Sequence, residues 1–168
     1  MERIYIDGRR VSLATLAKKA HSVTYVYVEN CPGLTALPDM PAATSVYVEN
    51  CPGLTALPDM PAATYVSVRN CPGLTALPDM PAATSVYVYN CPGLRDVAHV
   101  GKSDDGYLFT GLKLRGEWFV QAGCKMMPIA AAREYCARRP DRLALVEKIA
   151  AFAAERDGAV TEAQGERA

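Results

Sequence analysis

Fifteen residues, NCPGLTALPDMPAAT, occupy 30–44 and return unchanged at 50–64 and 70–84, so the middle of the chain repeats with a period of 20. A fixed period in this range marks a solenoid: one repeat is too small to bury its own apolar side, and stacked neighbours bury it together. The segments between copies are YVYVE from Tyr25, SVYVE from Ser45, YVSVR from Tyr65 and SVYVY from Ser85. Their two valines never change. Across 24–94 all variation falls on Tyr25, Tyr27 and Glu29, on Ser45, Tyr47 and Glu49, on Tyr65, Ser67 and Arg69, and on Ser85, Tyr87 and Tyr89. Variation with a period of two belongs to a strand, with the constant valines inside and the variable residues facing solvent.

The chain has 168 residues, room for a solenoid with small elements at its ends. Eighteen basic residues balance eighteen acidic ones, so no general attraction to nucleic acid or anionic lipid is expected. Four of the six cysteines, Cys31, Cys51, Cys71 and Cys91, share one repeat position. They are expected to form a buried column of free thiols, as in a reducing compartment. The opening MERIYIDGRR lacks the apolar segment of a secretory signal, and no apolar run is long enough to span a bilayer. The expected location is therefore cytoplasmic, or that of a secreted effector without a cleavable signal.

Ahead of the array, Ile4 and Ile6, then Asp7-Gly8, then Val11 predict a short hairpin. Ser12 is placed to cap a helix through Leu13 and Leu16, with Lys18 and Lys19 at its negative end. Residues 1–22 are thus expected to cap a solenoid spanning 23–100. The inward pattern, in the second copy, is Ala43, Val46, Val48, Cys51, Leu54, Leu57 and Met60. It persists in the last copy through Cys91, Leu94, Val97 and Val100. Pro32-Gly33 turns the chain, and Pro38 and Pro41 keep the return segment extended, too short for a helix. After a polar loop at 101–106, 107–114 and 117–122 are predicted as strands about Arg115-Gly116, either extending the solenoid sheet or folding over its end. Pro128 and Pro140 open two helices, and 101–156 forms a C-terminal cap. Residues 157–168 are small and polar and are expected to be disordered.

The strand, the inward cysteine after it and the LPxMP return resemble a leucine-rich repeat of the short bacterial class found in type III-secreted effectors, and NCPGLTALP resembles plant resistance-protein repeats. The resemblance covers 23–100. It implies an α/β solenoid, mostly β, with a short parallel sheet on the concave side and an extended convex side. Where that family places Asn at the inward turn, this chain has Cys51 with Asn50 one residue earlier, and either residue is left as the one that lines the turn. The phrase AGCKMMPIAAAREY distantly resembles the ends of uncharacterised bacterial and phage repeat proteins, a likeness that implies no activity.

Catalytic chemistry finds little support. The thiol column has the right atoms for a soft metal but no accompanying His or CxxC pair, and inward packing accounts for it. Cys124 and Cys136 are expected as buried residues of the C-terminal cap. His21 and His99 lack an acidic partner at a recognisable spacing. No phosphate-cradling glycine motif, nucleophile elbow or zinc signature occurs, so no cofactor, no metal and no enzyme activity are expected.

The variable face points elsewhere. Six tyrosines and three serines fill nine of its twelve positions. Tyrosine supplies rigid amphipathic contact area and serine adaptable hydrogen bonding, a pairing favoured in recognition loops. The expected function is non-catalytic binding of a protein or peptide, with a carbohydrate as a further ligand class, and with Tyr27, Tyr47, Tyr65 and Tyr87 as anchors. The third column, Glu29, Glu49, Arg69 and Tyr89, is a charge gradient in which a ligand's basic group relieves the two glutamates. Two other readings stay open: an idealised or recently duplicated scaffold without a partner, and an array that delivers an activity of the C-terminal segment.

Overall fold

A computed structural model describes residues 2–165 and the side chains of 2–158. The chain divides into two units, Met1–Arg95 and Asp96–Ala168. The first contains β1 (Arg3–Ile6), β2 (Arg9–Val11), α1 (Leu13–Lys19), a 3-10 turn (Ala20–Ser22), and then β3 (Tyr25–Glu29), β4 (Ser45–Glu49), β5 (Tyr65–Arg69) and β6 (Ser85–Tyr89). Strands β3 to β6 are parallel, and each residue pairs with the one twenty positions on. This is a β-solenoid of about three turns.

The inward columns are those the alternation predicts. All eight valines of β3 to β6 are at most 2% exposed, and the Ala43, Cys51, Leu54 and Met60 positions of the complete coils are sealed beside them. Full burial of a Val, Leu or Met side chain is worth about 1.5–3 kcal/mol. The return segments hold turns but neither helix nor strand. Their backbones still bond from coil to coil, Thr55 N to Thr35 O at 3.2 Å and Thr75 N to Thr55 O at 3.3 Å. The hydroxyls of Thr44, Thr64 and Thr84 each donate to a carbonyl one coil back, at 3.1–3.2 Å.

The choice between Asn and Cys at the turn is resolved by backbone conformation. Asn30, Asn50, Asn70 and Asn90 have φ between 51° and 56°, the left-handed region that Asn tolerates better than most side chains. Their carboxamides form a ladder in which Nδ2 of each donates to Oδ1 of the one before, at 2.9–3.0 Å. The cysteines point inward, and each Sγ donates to the carbonyl two residues earlier, at 3.2–3.4 Å. Asn therefore shapes the turn and Cys fills the interior.

The N-terminal hairpin does more than close an end. It turns at Asp7 and Gly8, with φ of 45° and 79°, and β1 pairs antiparallel with β3, so the sheet runs β2-β1-β3-β4-β5-β6. Oδ1 of Asp7 accepts from Thr24 N, Thr24 Oγ1 and Tyr25 N at 2.9–3.2 Å. These bonds, Tyr25 N foremost, hold its carboxyl below the usual range. Ser12 caps α1, its Oγ accepting from Thr15 N at 3.2 Å.

The second unit contains β7 (Val97–Lys102), β8 (Leu108–Leu114), β9 (Glu117–Ala122) and β10 (Lys125–Pro128), then α2 (Ile129–Cys136) and α3 (Pro140–Gly165). Its strands form a separate antiparallel meander, so the predicted hairpin at 107–122 belongs to a sheet of its own. Val97 and Val100, expected in the last coil, lie instead in β7, whose register against β8 shifts between His99 and Gly101. The decay of ALPDMP to DVAHV removes the prolines that keep a return segment out of a ladder. Phe109, Val120, Ala132, Cys136, Val146 and Ile149 form this unit's core. A Cβ on Gly111 would lie 2.5 Å from Ile149 Cγ2, so glycine is what lets α3 pack this close to β8.

Two further expectations are corrected. Helix α3 continues through 157–165, and Asp157 accepts from Lys113 Nζ at 2.7 Å and Trp118 Nε1 at 3.3 Å. The remainder of the predicted disordered tail, 166–168, lies outside the described residues. Cys124 is exposed, in the β9–β10 turn beside Gly123 at φ 57°, whereas Cys136 is buried. Among the described residues no helix is long and apolar enough to cross a membrane.

Identical glycines meet different surroundings. Gly33 has nothing within 4 Å of an added Cβ, whereas a Cβ on Gly73 would sit 2.6 Å from Pro52 O and 3.0 Å from Leu54 O of the coil before. Gly33→Ala is expected to leave urea-unfolding stability within about 0.5 kcal/mol, and Gly73→Ala to lower it by about 1–3 kcal/mol. Equal effects would contradict the stacking. The thiols give a second check. Burial raises the pKa of Cys31 and Cys136, and the Cys71 hydrogen bond together with burial raises that of Cys51. Of six cysteines, only Cys124 is exposed, so Ellman's reagent should titrate one thiol in the native protein and six in denaturant.

Candidate functional site

The register places the twelve variable residues in three rows across β3 to β6: Tyr25, Ser45, Tyr65 and Ser85; Tyr27, Tyr47, Ser67 and Tyr87; Glu29, Glu49, Arg69 and Tyr89. Because the valines between them are buried, all twelve emerge on one side of the sheet. Exposure is uneven. Tyr89 is 56% exposed and Tyr25 36%, most of the others are half-buried, and Ser67 is only 4% exposed.

The rings are in continuous contact. Tyr27 and Tyr47 lie 6.2 Å apart between centroids, Tyr47 and Tyr65 5.0 Å, Tyr65 and Tyr87 5.4 Å, and Tyr25 reaches Tyr47 at 5.4 Å. Three of these four contacts are diagonal, from one row to the next. The size pattern explains why: from β4 to β6 each tyrosine has serines beside it in its own row, or each serine tyrosines, leaving room for a ring of the other row to lean across. Such pairs are worth about 0.5–1.5 kcal/mol each beyond the area they bury. Burial raises the phenol pKa values of Tyr27 and Tyr65, with Glu29 and Tyr47 respectively as the next causes. Both rings are neutral at pH 7.

Residues outside the repeats complete the face. Tyr5 in β1 sits opposite Tyr27, its ring edge-on at 6.0 Å, and Arg3 pairs with Glu29 at 3.2 Å. The alternation of Ile4 and Ile6 already turned Tyr5 outward, but the pairing of β1 with β3 is what brings it to this surface. Arg3 also changes the charge pattern, since the cation that relieves Glu29 comes from the chain itself. Glu49 and Arg69 face each other in register, yet neither side chain has an ion pair or side-chain hydrogen bond among the described residues. Between them and the rings of Tyr27, Tyr47 and Tyr65 lies a hollow of about 220 Å³, with Ser67 and Val48 in its lining.

The other residues considered for chemistry do not join this face. His21 is exposed in the 3-10 turn and His99 lies in β7 of the second unit. Among the described residues no group of three His, Cys, Asp or Glu side chains is placed to hold a metal ion. A broad groove of about 810 Å³ runs along the turn side of the coils, lined by the Asn ladder, Pro32, Pro52, Pro72, Pro92 and Glu2. The carboxamides there are engaged with one another. In the second unit Asp105 is clamped by Arg142 and, at 3.3 Å, by Arg139, and a 2.6 Å bond from Ser103 Oγ foremost lowers its pKa to about 2. No protein-family model, curated protein or solved structure matches the chain.

The ring chain implies unequal contributions to stability. Tyr65→Ser removes two ring contacts and should cost about 1–3 kcal/mol, whereas Tyr89→Ser, more than half exposed and without a ring partner among the described residues, should change stability by less than about 0.5 kcal/mol. Thermal and urea unfolding of the two single variants measure this.

Proposed function

We propose that this chain is a non-catalytic recognition module of the leucine-rich-repeat type, whose tyrosine-serine sheet face binds a protein or peptide. Support for the repeat type comes from the strand, the inward cysteine following it and the helix-free return, stacked at one fixed period. Support for binding rests on one observation. The positions that differ between copies form a single continuous surface, while return-side positions that are also exposed, Ala36, Ala56 and Ala76 among them, never vary. The return-side threonines are held by coil-to-coil hydrogen bonds, but exposed alanines carry no such constraint. Tolerance of change at exposed sites therefore does not account for where the changes fall.

A scaffold reading has one observation in its favour. The alternation of Tyr and Ser fills space on the sheet, so ring packing alone explains part of the pattern. It does not explain Glu49 and Arg69, register neighbours that form no ion pair among the described residues.

Selection of random peptides displayed on phage separates the two readings. Peptides enriched on the native protein should bind at least about tenfold more weakly to a Tyr47→Ser, Tyr65→Ser variant shown to be folded by circular dichroism, since buried tyrosines are typical binding hot spots. Peptides retained equally by that variant, or no enrichment above a blank surface, would overturn the reading.

A further inference from the structure

The hollow at the centre of the face has a chemistry of its own. At about 220 Å³ it falls below the roughly 300–1,000 Å³ of sites that enclose a whole small molecule, so it suits a single side chain of a larger ligand. Its wall is three tyrosine rings, Tyr47 tilted by 46° against Tyr27 and by 31° against Tyr65. Ser67, 4% exposed, lines it as a small side chain that leaves the space between the rings.

Charge selects the occupant. Glu49 is half-buried, lines the hollow and forms no ion pair among the described residues, whereas Glu29, its neighbour in the row, already has Arg3 and the carboxamide of Asn30 at 3.0 Å. A partly desolvated carboxylate is stabilised by an added cation, and neutral tyrosine rings attract a cation through their π-faces. Arg69 is the register neighbour of Glu49 and lines the same hollow, but it is exposed, so water screens its repulsion of a bound cation more than it screens Glu49's attraction. We infer that the hollow formed by Tyr27, Tyr47, Tyr65, Ser67 and Glu49 receives a lysine side chain of a bound peptide, its ammonium against Glu49 and its methylenes along the rings. This rests on the reading of the face as a peptide-binding surface and names the residue that it reads.

An array of immobilised peptides Ala-Ala-X-Ala-Ala, with X as lysine, trimethyl-lysine, norleucine or glutamate, tests it with the full-length protein as probe. Lysine and trimethyl-lysine should bind on the order of fivefold better than norleucine, the size of effect expected for a cation over aromatic rings. Glu49→Gln, nearly isosteric, should abolish most of that advantage without lowering thermal stability. Arg69→Ala should increase it, and Ser67→Leu, which fills the hollow, should remove it. Norleucine equal to lysine, a preference for glutamate, or a lysine preference untouched in Glu49→Gln would each overturn the assignment. If the phage-selected peptides still depend on Tyr47 and Tyr65 while the array shows no preference for lysine, the assignment fails and the recognition face stands. If those peptides show no such dependence, both fail.

Discussion

The first unit depends on one constraint: each coil must lie on the last in strict register, residue on residue, at a spacing of twenty. Parallel strands one ladder step apart bring like side chains together, so every repeat position becomes a column. Apolar columns gain from this by burying one another. Polar columns survive only where identical groups satisfy each other, and Asn does so because one carboxamide both donates and accepts. Glutamate in the same arrangement is repulsive. That is why Glu29 needs Arg3, and why the third row changes charge at Arg69.

The same spacing governs the face. Two tyrosines side by side in one row, one strand step apart, must pack their rings within a narrow band, and among the repeats β3 to β6 the chain places them so at Tyr27 and Tyr47, with Tyr5 of β1 beside Tyr27 in turn. Elsewhere serine opens room and the ring of the other row leans in. The hollow over Ser67 arises because the three rings around it leave a serine where the row continues. Packing and recognition therefore draw on the same residues, and substitutions on this surface act on stability and binding together.

Much of this was legible from residues alone. The strand limits, the buried valines and cysteines, the turn at Asp7-Gly8, the Ser12 cap and the hairpin about Arg115-Gly116 follow from local chemistry and from comparing the copies. Tyr5 escaped because nothing local says which strand β1 pairs with. Val97 and Val100 continue an apolar spacing that serves a last coil and a meander strand equally well, so nothing local separates β7 from the array. At 157–165 small polar residues fit a tail as readily as a solvated helix, so nothing local marks the helix that the backbone forms there.

By itself, the sequence determined that the middle of the chain stacks, which residues face inward and which surface carries all the differences, because a repeated string compares each position with itself. Tertiary structure alone decided that Asn rather than Cys shapes the turn, that Arg3 neutralises Glu29 while Glu49 forms no ion pair among the described residues, and that Ser67 lines a ring-walled hollow. Each of these depends on which side chains meet across different coils or strands, and such meetings are set by backbone conformation and register that no single repeat contains.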